Sequence, residues 1–241
     1  MKSKVVLPIS TSDFRARAKA RLSFPSFTAD GYDTRAGLPD SQRLQVQSNE
    51  PGPGPGDDDL NPDALNRFER GTGEPGVAAL KPAAVLIGVV DNAALDVYFT
   101  LRTSHLPTHA GQISFPGGKV DANDPGPAEA ALREAEEEIG LTTRFVEPLG
   151  FLETYRTGTG YTIQPMVGLI DPKFIPEPNP SEVAELFTVP LNFLMDSTRM
   201  DIHARSINGR ERRYYAVTYD DRFIWGATAG ILKNMRERLF G

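Results

Sequence analysis

The chain has 241 residues, 39% of them hydrophobic, with 22 Gly, 20 Pro and a formal net charge of -6. It has no cysteine, which excludes disulfides, thiolate catalysis and Cys-based zinc sites, and only three histidines, which argues against a His-rich metal site. A bound metal would therefore sit on carboxylate oxygens, a ligand set that suits Mg²⁺ or Mn²⁺.

The length suits one sizeable domain with extensions, or at most two small ones. The negative charge lacks the basic excess of a nucleic-acid-binding domain, and the longest apolar run, 83–90, is far too short to span a bilayer. No nucleic acid and no membrane are expected as partners, and a homodimer is compatible with these numbers. The first 22 residues are basic, as an organelle leader is, but Asp13 and the short length argue against one. A cytoplasmic protein is the expectation.

In chain order, 13–22 predicts a short basic helix capped by Ser12 or Asp13. Residues 23–70 are polar and poorly periodic, and contain Pro51-Gly52-Pro53-Gly54-Pro55-Gly56 before Asp57, Asp58 and Asp59. Such a stretch buries too little apolar surface to offset its ordering entropy, so a flexible linker is expected, with a helical turn or two at 61–69. The expected division is a partly disordered N-terminal extension over 1–80 and a folded domain over 81–241.

The run at 83–90 predicts a buried strand, and 96–102 a second strand in hairpin with it. Residues 112–115 predict a short strand ended by Pro116-Gly117-Gly118. A helix is predicted from Pro127, a favourable first helical residue, to Ile139, stopped by Gly140. Strands follow at 145–154 and 162–170, then a proline-rich loop at 171–180 and a short helix at 181–186 capped by Ser181. Asn208-Gly209 predicts a hairpin between 202–206 and 212–217, and 226–239 predicts the last helix. Strands around a central helix, with another helix at the end, predict an α/β fold with a mixed sandwich.

The segment Arg133-Glu134-Ala135-Glu136-Glu137-Glu138-Ile139-Gly140-Leu141 carries the functional argument. At about 100° per residue, Glu134, Glu137 and Glu138 fall within roughly one third of the helix circumference. Ala131, Leu132, Ala135 and Ile139 gather on an adjacent face, and Glu136 points away from both. Like charges at these spacings repel by about 0.2–0.5 kcal/mol per pair. Anions in the last turns of a helix cost a further 0.3–1 kcal/mol or so each. A divalent cation among them reverses both effects. A plain solvated acidic face is the competing explanation of such a run taken alone.

Residues 118–141 resemble the Nudix box, G-x5-E-x7-R-E-U-x-E-E-x-G-U with U aliphatic. Arg133, Glu134, Glu137, Glu138, Gly140 and Leu141 stand in register, and Ala135 holds an aliphatic slot. Asp124 stands at the family's first glutamate, and one extra residue separates it from Arg133. Upstream, Phe99-Thr100-Leu101-Arg102-Thr103 and Gly111 to Lys119, followed by Asp121-x-x-Asp124, resemble the coenzyme A diphosphatase branch of that family. Its signature is L-L-T-x-R-[SA]-x3-R-x3-G-x3-F-P-G-G. Arg102, Gly111 and Phe115 to Gly118 match; Thr103 replaces the small residue and Pro107 the second arginine. Gly158-x-Gly160, Gln164-Pro165, Glu182-Val183, Pro190-Leu191 and Ile224 to Thr228 extend the likeness.

The resemblance implies a Nudix-type α/β/α sandwich with a mixed sheet. It implies a pyrophosphohydrolase in which Glu134, Glu137 and Glu138 bind Mg²⁺ or Mn²⁺ and Arg133 orients a box carboxylate. Arg102, Gly117, Gly118 and Lys119 would meet the substrate. Either a box glutamate or Glu182 would be the general base, Glu182 reading equally well as a helix N-terminal carboxylate. Trp225 reads as a core residue before an adenine platform. The implied reaction converts coenzyme A or acyl-coenzyme A to adenosine 3′,5′-bisphosphate and (acyl-)phosphopantetheine. An ADP-sugar or dinucleotide hydrolase and a Nudix-fold binder without turnover are the alternatives.

Overall fold

The computed structural model describes residues 9–23, 26–28, 31–33, 55–65, 80–104, 111–207 and 209–241. The apolar run becomes the middle of a sheet. β3 (Lys81–Val90) lies parallel to β9 (Tyr161–Ile170) along its whole length. On its other side it meets β4 (Asp96–Arg102) at Val89 opposite Val97, and β6 (Gly117–Lys119) from Ala83 opposite Lys119 to Val85 opposite Gly117. The predicted β3–β4 hairpin is thus paired at its closed end, because β6 takes the open end. β10 (Val183–Pro190) pairs with β4 and β7 (Val146–Phe151) with β9, giving the order β10-β4-β3-β9-β7. Short strands β5 (Ile113–Ser114) and β8 (Tyr155–Arg156) add to β4 and β9.

β3 is buried on both faces, which is why its sequence is continuously apolar rather than alternating. Ala84 and Leu86 face α2 (Pro127–Ile139), which covers that side with Ala128, Ala131, Leu132, Ala135 and Ile139. Ile87 and Val89 face the opposite layer, built from α1 (Thr11–Arg21), α3 (Leu191–Met195) and α4 (Ala227–Phe240). The mixed sheet between helical layers is the expected α/β/α sandwich.

A separate antiparallel sheet follows the order β11 (Met200–Ile207), β12 (Arg210–Tyr219), β13 (Arg222–Trp225). Its first turn is the predicted Asn208-Gly209 hairpin, with Ile207 opposite Arg210; Asn208 lies outside the described residues. Two short strands, β1 (Ser26–Thr28) and β2 (Gly31–Asp33), pair near the N-terminus.

Several expectations are corrected. Residues 181–186 are not a helix: Val183 begins β10, whose Phe187 and Val189 stand opposite Phe99 and Val97 of β4. Tertiary pairing outweighs the capping signal of Ser181, whose hydroxyl instead donates to Asn179. Gly117-Gly118 does not break the chain but forms β6. The first helix begins two residues earlier and is capped by Ser10, whose hydroxyl accepts from the Asp13 amide at 3.1 Å.

The linker expectation fails over 55–65 as well. Asp57 accepts from the Gly158 amide at 2.7 Å and from the Tyr155 hydroxyl at 2.9 Å. Asp58 pairs with Arg156 and Asp63 with Arg212, while Leu65 is buried. These acids find cationic and amide partners on the folded domain, so their ordering is offset by contacts that composition does not show. Phe14 and Ala18 likewise belong to the main core, so the extension shares the hydrolase domain's interior. The rest of the expected linker, 24–25, 29–30, 34–54 and 66–70, and Pro107 lie outside the described residues.

Candidate active site

On helix α2 Glu138 is buried, Glu134 half-buried and Glu136 exposed, but Glu137, expected in one stripe with Glu134 and Glu138, is exposed as well. Gly140 takes the left-handed conformation with φ 73°, and its amide donates to Glu136 O at 2.9 Å. No basic residue occupies the last turn. A loop supplies the missing donors instead: the Glu177 amide reaches Ile139 O at 2.9 Å and the Asn179 amide reaches Glu138 O at 2.8 Å. The same loop carries Glu182 to the site.

Arg133 gathers the acids around it. Its Nε and Nη2 donate to the two Asp124 oxygens, both at 3.0 Å. Nη1 donates to Glu134 at 3.1 Å and to Glu137 at 3.0 Å, and Nη2 also reaches the Lys119 carbonyl at 3.2 Å. The guanidinium holds the Asp124 carboxyl below the usual carboxylate range. Arg133 is therefore more than a surface ion pair: it ties the loop after β6 to the helix. Asp124 closes the turn by accepting from the Asp121 amide at 2.8 Å. This clamp role for the D-x-x-D loop is a residue role that the box pattern alone does not supply.

Glu138 is 1% exposed. It accepts from Arg102 Nη1 at 3.1 Å and from the Gly117 amide at 3.3 Å. Burial nevertheless pushes its carboxyl up to about 7, with Glu134 and Glu182 adding to the rise against the pull of Arg102 and Gly117. Burial also raises Glu134, opposed by Arg133 and reinforced by Glu137 and Glu182. Glu134, Glu138 and Glu182 thus stand within electrostatic reach of one another, whereas Glu137 turns outward to Arg133 with its side chain 53% exposed.

The glycines explain how close these parts come. A β-carbon on Gly117 would lie 2.4 Å from the Ala84 carbonyl, and one on Gly118 would lie 2.5 Å from the Glu134 carboxyl. The first glycine brings β6 against β3, and the second makes room for Glu134 on the strand.

Glu134, Glu182, Arg102, Gly117, Gly118 and Lys119 line one cleft of about 1090 Å³, with Glu138 buried behind it. The far wall comes from Asp57, Asn61, Asp63 and the face of β11–β13 bearing Arg205, Arg212, Tyr214 and Trp225. Sequence reasoning missed that wall. Its signal was present in Arg205, Arg210 and Arg212, which flank Asn208-Gly209, but strand register was needed to place them on one face.

Among the described residues, no three acidic or histidine side chains converge as a ready metal cage. The donor chemistry nevertheless fits a hard divalent cation. Buried oxygens that raise one another's pKa lose that penalty when a cation neutralises them, and no softer ligand competes.

The NUDIX domain family model matches residues 80–207, more than half of the chain. A Yersinia enterocolitica protein named uncharacterized Nudix hydrolase NudL is 37% identical over 180 residues, covering 73% of this chain and 91% of the relative. Its Yersinia pestis counterpart of the same name is 38% identical over 165 residues, covering 67% and 81%. The crystal structure of the Nudix hydrolase RenU from M. smegmatis overlaps 65% of this chain and 84% of its own, with 19% identity and a TM-score of 0.45. The chain belongs to the NUDIX domain family. It is a Nudix hydrolase, a pyrophosphohydrolase acting on small nucleoside diphosphate-linked molecules. Among the described residues, no helix is long and apolar enough to cross a membrane.

Proposed function

We propose that this enzyme hydrolyses the diphosphate of coenzyme A or acyl-coenzyme A in the cytoplasm, releasing adenosine 3′,5′-bisphosphate and (acyl-)phosphopantetheine. The observation that carries the reading is the contact of Arg102 with Glu138. Arg102 belongs to the upstream signature of the coenzyme A diphosphatase branch, and Glu138 belongs to the box. Their pairing supports treating the two motifs as one working unit rather than two chance matches. The bond from Arg133 to Asp124 gives the altered first half of the box a role of the same kind.

Mg²⁺ or Mn²⁺ would be held by Glu134 and Glu138, joined by Glu137 from the next turn. When bound, the ion neutralises diphosphate charge and lowers the pKa of a water. The protein's own residues do the rest. Arg102 and the Gly117 amide fix Glu138, while Arg133 fixes Glu134 and the Asp124 turn. Lys119 and the Gly117-Gly118 backbone border the space in which the diphosphate lies. Glu182, which lines the cleft, or a box glutamate would take the proton from the attacking water as its oxygen bonds to phosphorus and the bridging P–O bond breaks.

The test is product analysis after incubation with coenzyme A and with ADP-ribose, each with and without Mg²⁺. Metal-dependent release of adenosine 3′,5′-bisphosphate from coenzyme A is expected. Cleavage of ADP-ribose with coenzyme A untouched would move the assignment to the nucleoside diphosphate sugars.

A further inference from the structure

The far wall of the cleft carries chemistry that diphosphate cleavage does not use. In the β11–β12–β13 sheet, Arg205 stands directly opposite Arg212, and Trp225 directly opposite Ala216. Successive residues of a strand alternate between faces, so Arg205, Arg212, Tyr214 and Trp225 share one face, and all four line the cleft. Like charges directly opposite each other destabilise a strand pair, by up to about 1 kcal/mol. Arg212 is neutralised by Asp63, which also pairs with Arg210. Arg205 has no carboxylate partner among the described residues. Its guanidinium lies 4.8 Å from the centre of the Trp225 ring, and Tyr214 meets that ring edge-on at 5.2 Å. Stacking on the ring leaves the N–H donors at the guanidinium edge free for an anion. A flat aromatic group and an anion joined in one molecule fit this arrangement.

We propose that this face is a second subsite. It takes a nucleoside that carries a phosphate monoester besides the diphosphate, with the base on the Arg205–Trp225–Tyr214 group and the monoester on the edge of Arg205. The proposal deepens the coenzyme A reading and rests on it for placing the diphosphate at the carboxylates. The subsite would make Arg205 a specificity residue rather than a catalytic one.

Trp225 is the only tryptophan, so its fluorescence reads the subsite directly. Full-length protein is titrated without metal with adenosine 3′,5′-bisphosphate, AMP and inorganic phosphate. The bisphosphate is expected to perturb the fluorescence and to bind at least about tenfold more tightly than AMP, consistent with one charge-assisted contact. Inorganic phosphate is expected to leave the fluorescence unchanged. Arg205→Gln, a change at an exposed position, should erase the preference, so that the variant binds the bisphosphate and AMP equally. In turnover, Arg205→Gln should raise KM for coenzyme A towards that for 3′-dephospho-coenzyme A with kcat kept. Equal binding of bisphosphate and AMP, a preference that survives Arg205→Gln, or inorganic phosphate binding as well as the bisphosphate would overturn the subsite. The titration decides this even if ADP-ribose, not coenzyme A, proves to be the substrate, so the two readings fail separately.

Discussion

Gly118 and Glu134 are in such close register that a single methyl group on the glycine would lie 2.5 Å from the carboxyl carbon of the glutamate. Gly117, its neighbour, is equally crowded, but against backbone: the Ala84 carbonyl at 2.4 Å and the Val85 Cα at 2.6 Å. The two glycines should therefore fail differently when replaced by alanine. At Gly118 the obstruction is the end of a flexible side chain, which can swing aside at little cost in stability. Gly118→Ala is expected to fold with a near-normal Tm and to lose about 100-fold in kcat/KM through displacement of Glu134. Gly117→Ala must push β6 off β3 and adopt a φ of 152°. It should lose several kcal/mol of stability, roughly the upper end for overpacking and backbone strain together. Thermal melts and kinetics on both variants check this, and a badly destabilised Gly118→Ala would contradict it.

Arg133 and Asp124 give a prediction with a defined pH dependence. The guanidinium depresses the Asp124 carboxyl, so the folded state holds its proton less tightly than the unfolded chain does. Such a group contributes stability above its unfolded pKa, and the contribution is lost as pH falls through the folded value. Asp124→Asn should thus cost about 2 kcal/mol near neutral pH, the range for a hydrogen bond to a charged group. The difference from wild type should shrink in acid, below the ordinary carboxylate range. Denaturant unfolding at about pH 7 and about pH 3 tests it. A cost that stays constant across that range would mean that Asp124 acts through packing rather than charge.

Much of this site was readable because its signals are local. Pro127, Gly140 and the 3.6-residue spacing of Ala131, Ala135 and Ile139 fix α2 within one stretch of chain, and its acidic face follows. The parallel pairing of β3 with β9 is long-range, and nothing in 83–90 names its partner. β10 was misread because Ser181 offers a local cap, whereas the pairing of Phe187 with Phe99 is decided 88 positions away. Asp57, Asp58 and Asp59 looked like solvated linker charges for the same reason. The partners of Asp57 and Asp58, which are Gly158, Tyr155 and Arg156, are close in space and distant in sequence, whereas Asp59 accepts from the nearby Gly56 amide. Arg205 and Arg212 were visible as residues but not as neighbours.

The N-terminal segment should accordingly be needed for folding. Phe14 is fully buried in the main core. Phe14→Ala is expected to cost about 3–5 kcal/mol, as for an aromatic removed from a packed interior. A chain beginning at residue 81 would lose Phe14, Ala18 and Leu65 together and should be largely unfolded or aggregated. Circular dichroism and chemical denaturation of the two proteins decide it. A truncated domain with wild-type stability would show that α1 rests on a core already complete without it.

Glu182 and Glu138 share an electrostatic environment but differ in how they are held, and activity should separate them. Glu138 is fixed by Arg102 and Gly117, whereas Glu182 sits at the start of β10, on a loop tied to α2 through the Asn179 amide. Glu138→Gln should weaken Mg²⁺ activation, so that turnover recovers partly at high metal concentration. Glu182→Gln should leave the metal dependence unchanged and lower kcat by about 10²–10⁴-fold, the range for loss of a general base. Metal titrations and steady-state kinetics of both variants make the distinction. If Glu182→Gln keeps its kcat, the proton goes to a box glutamate instead.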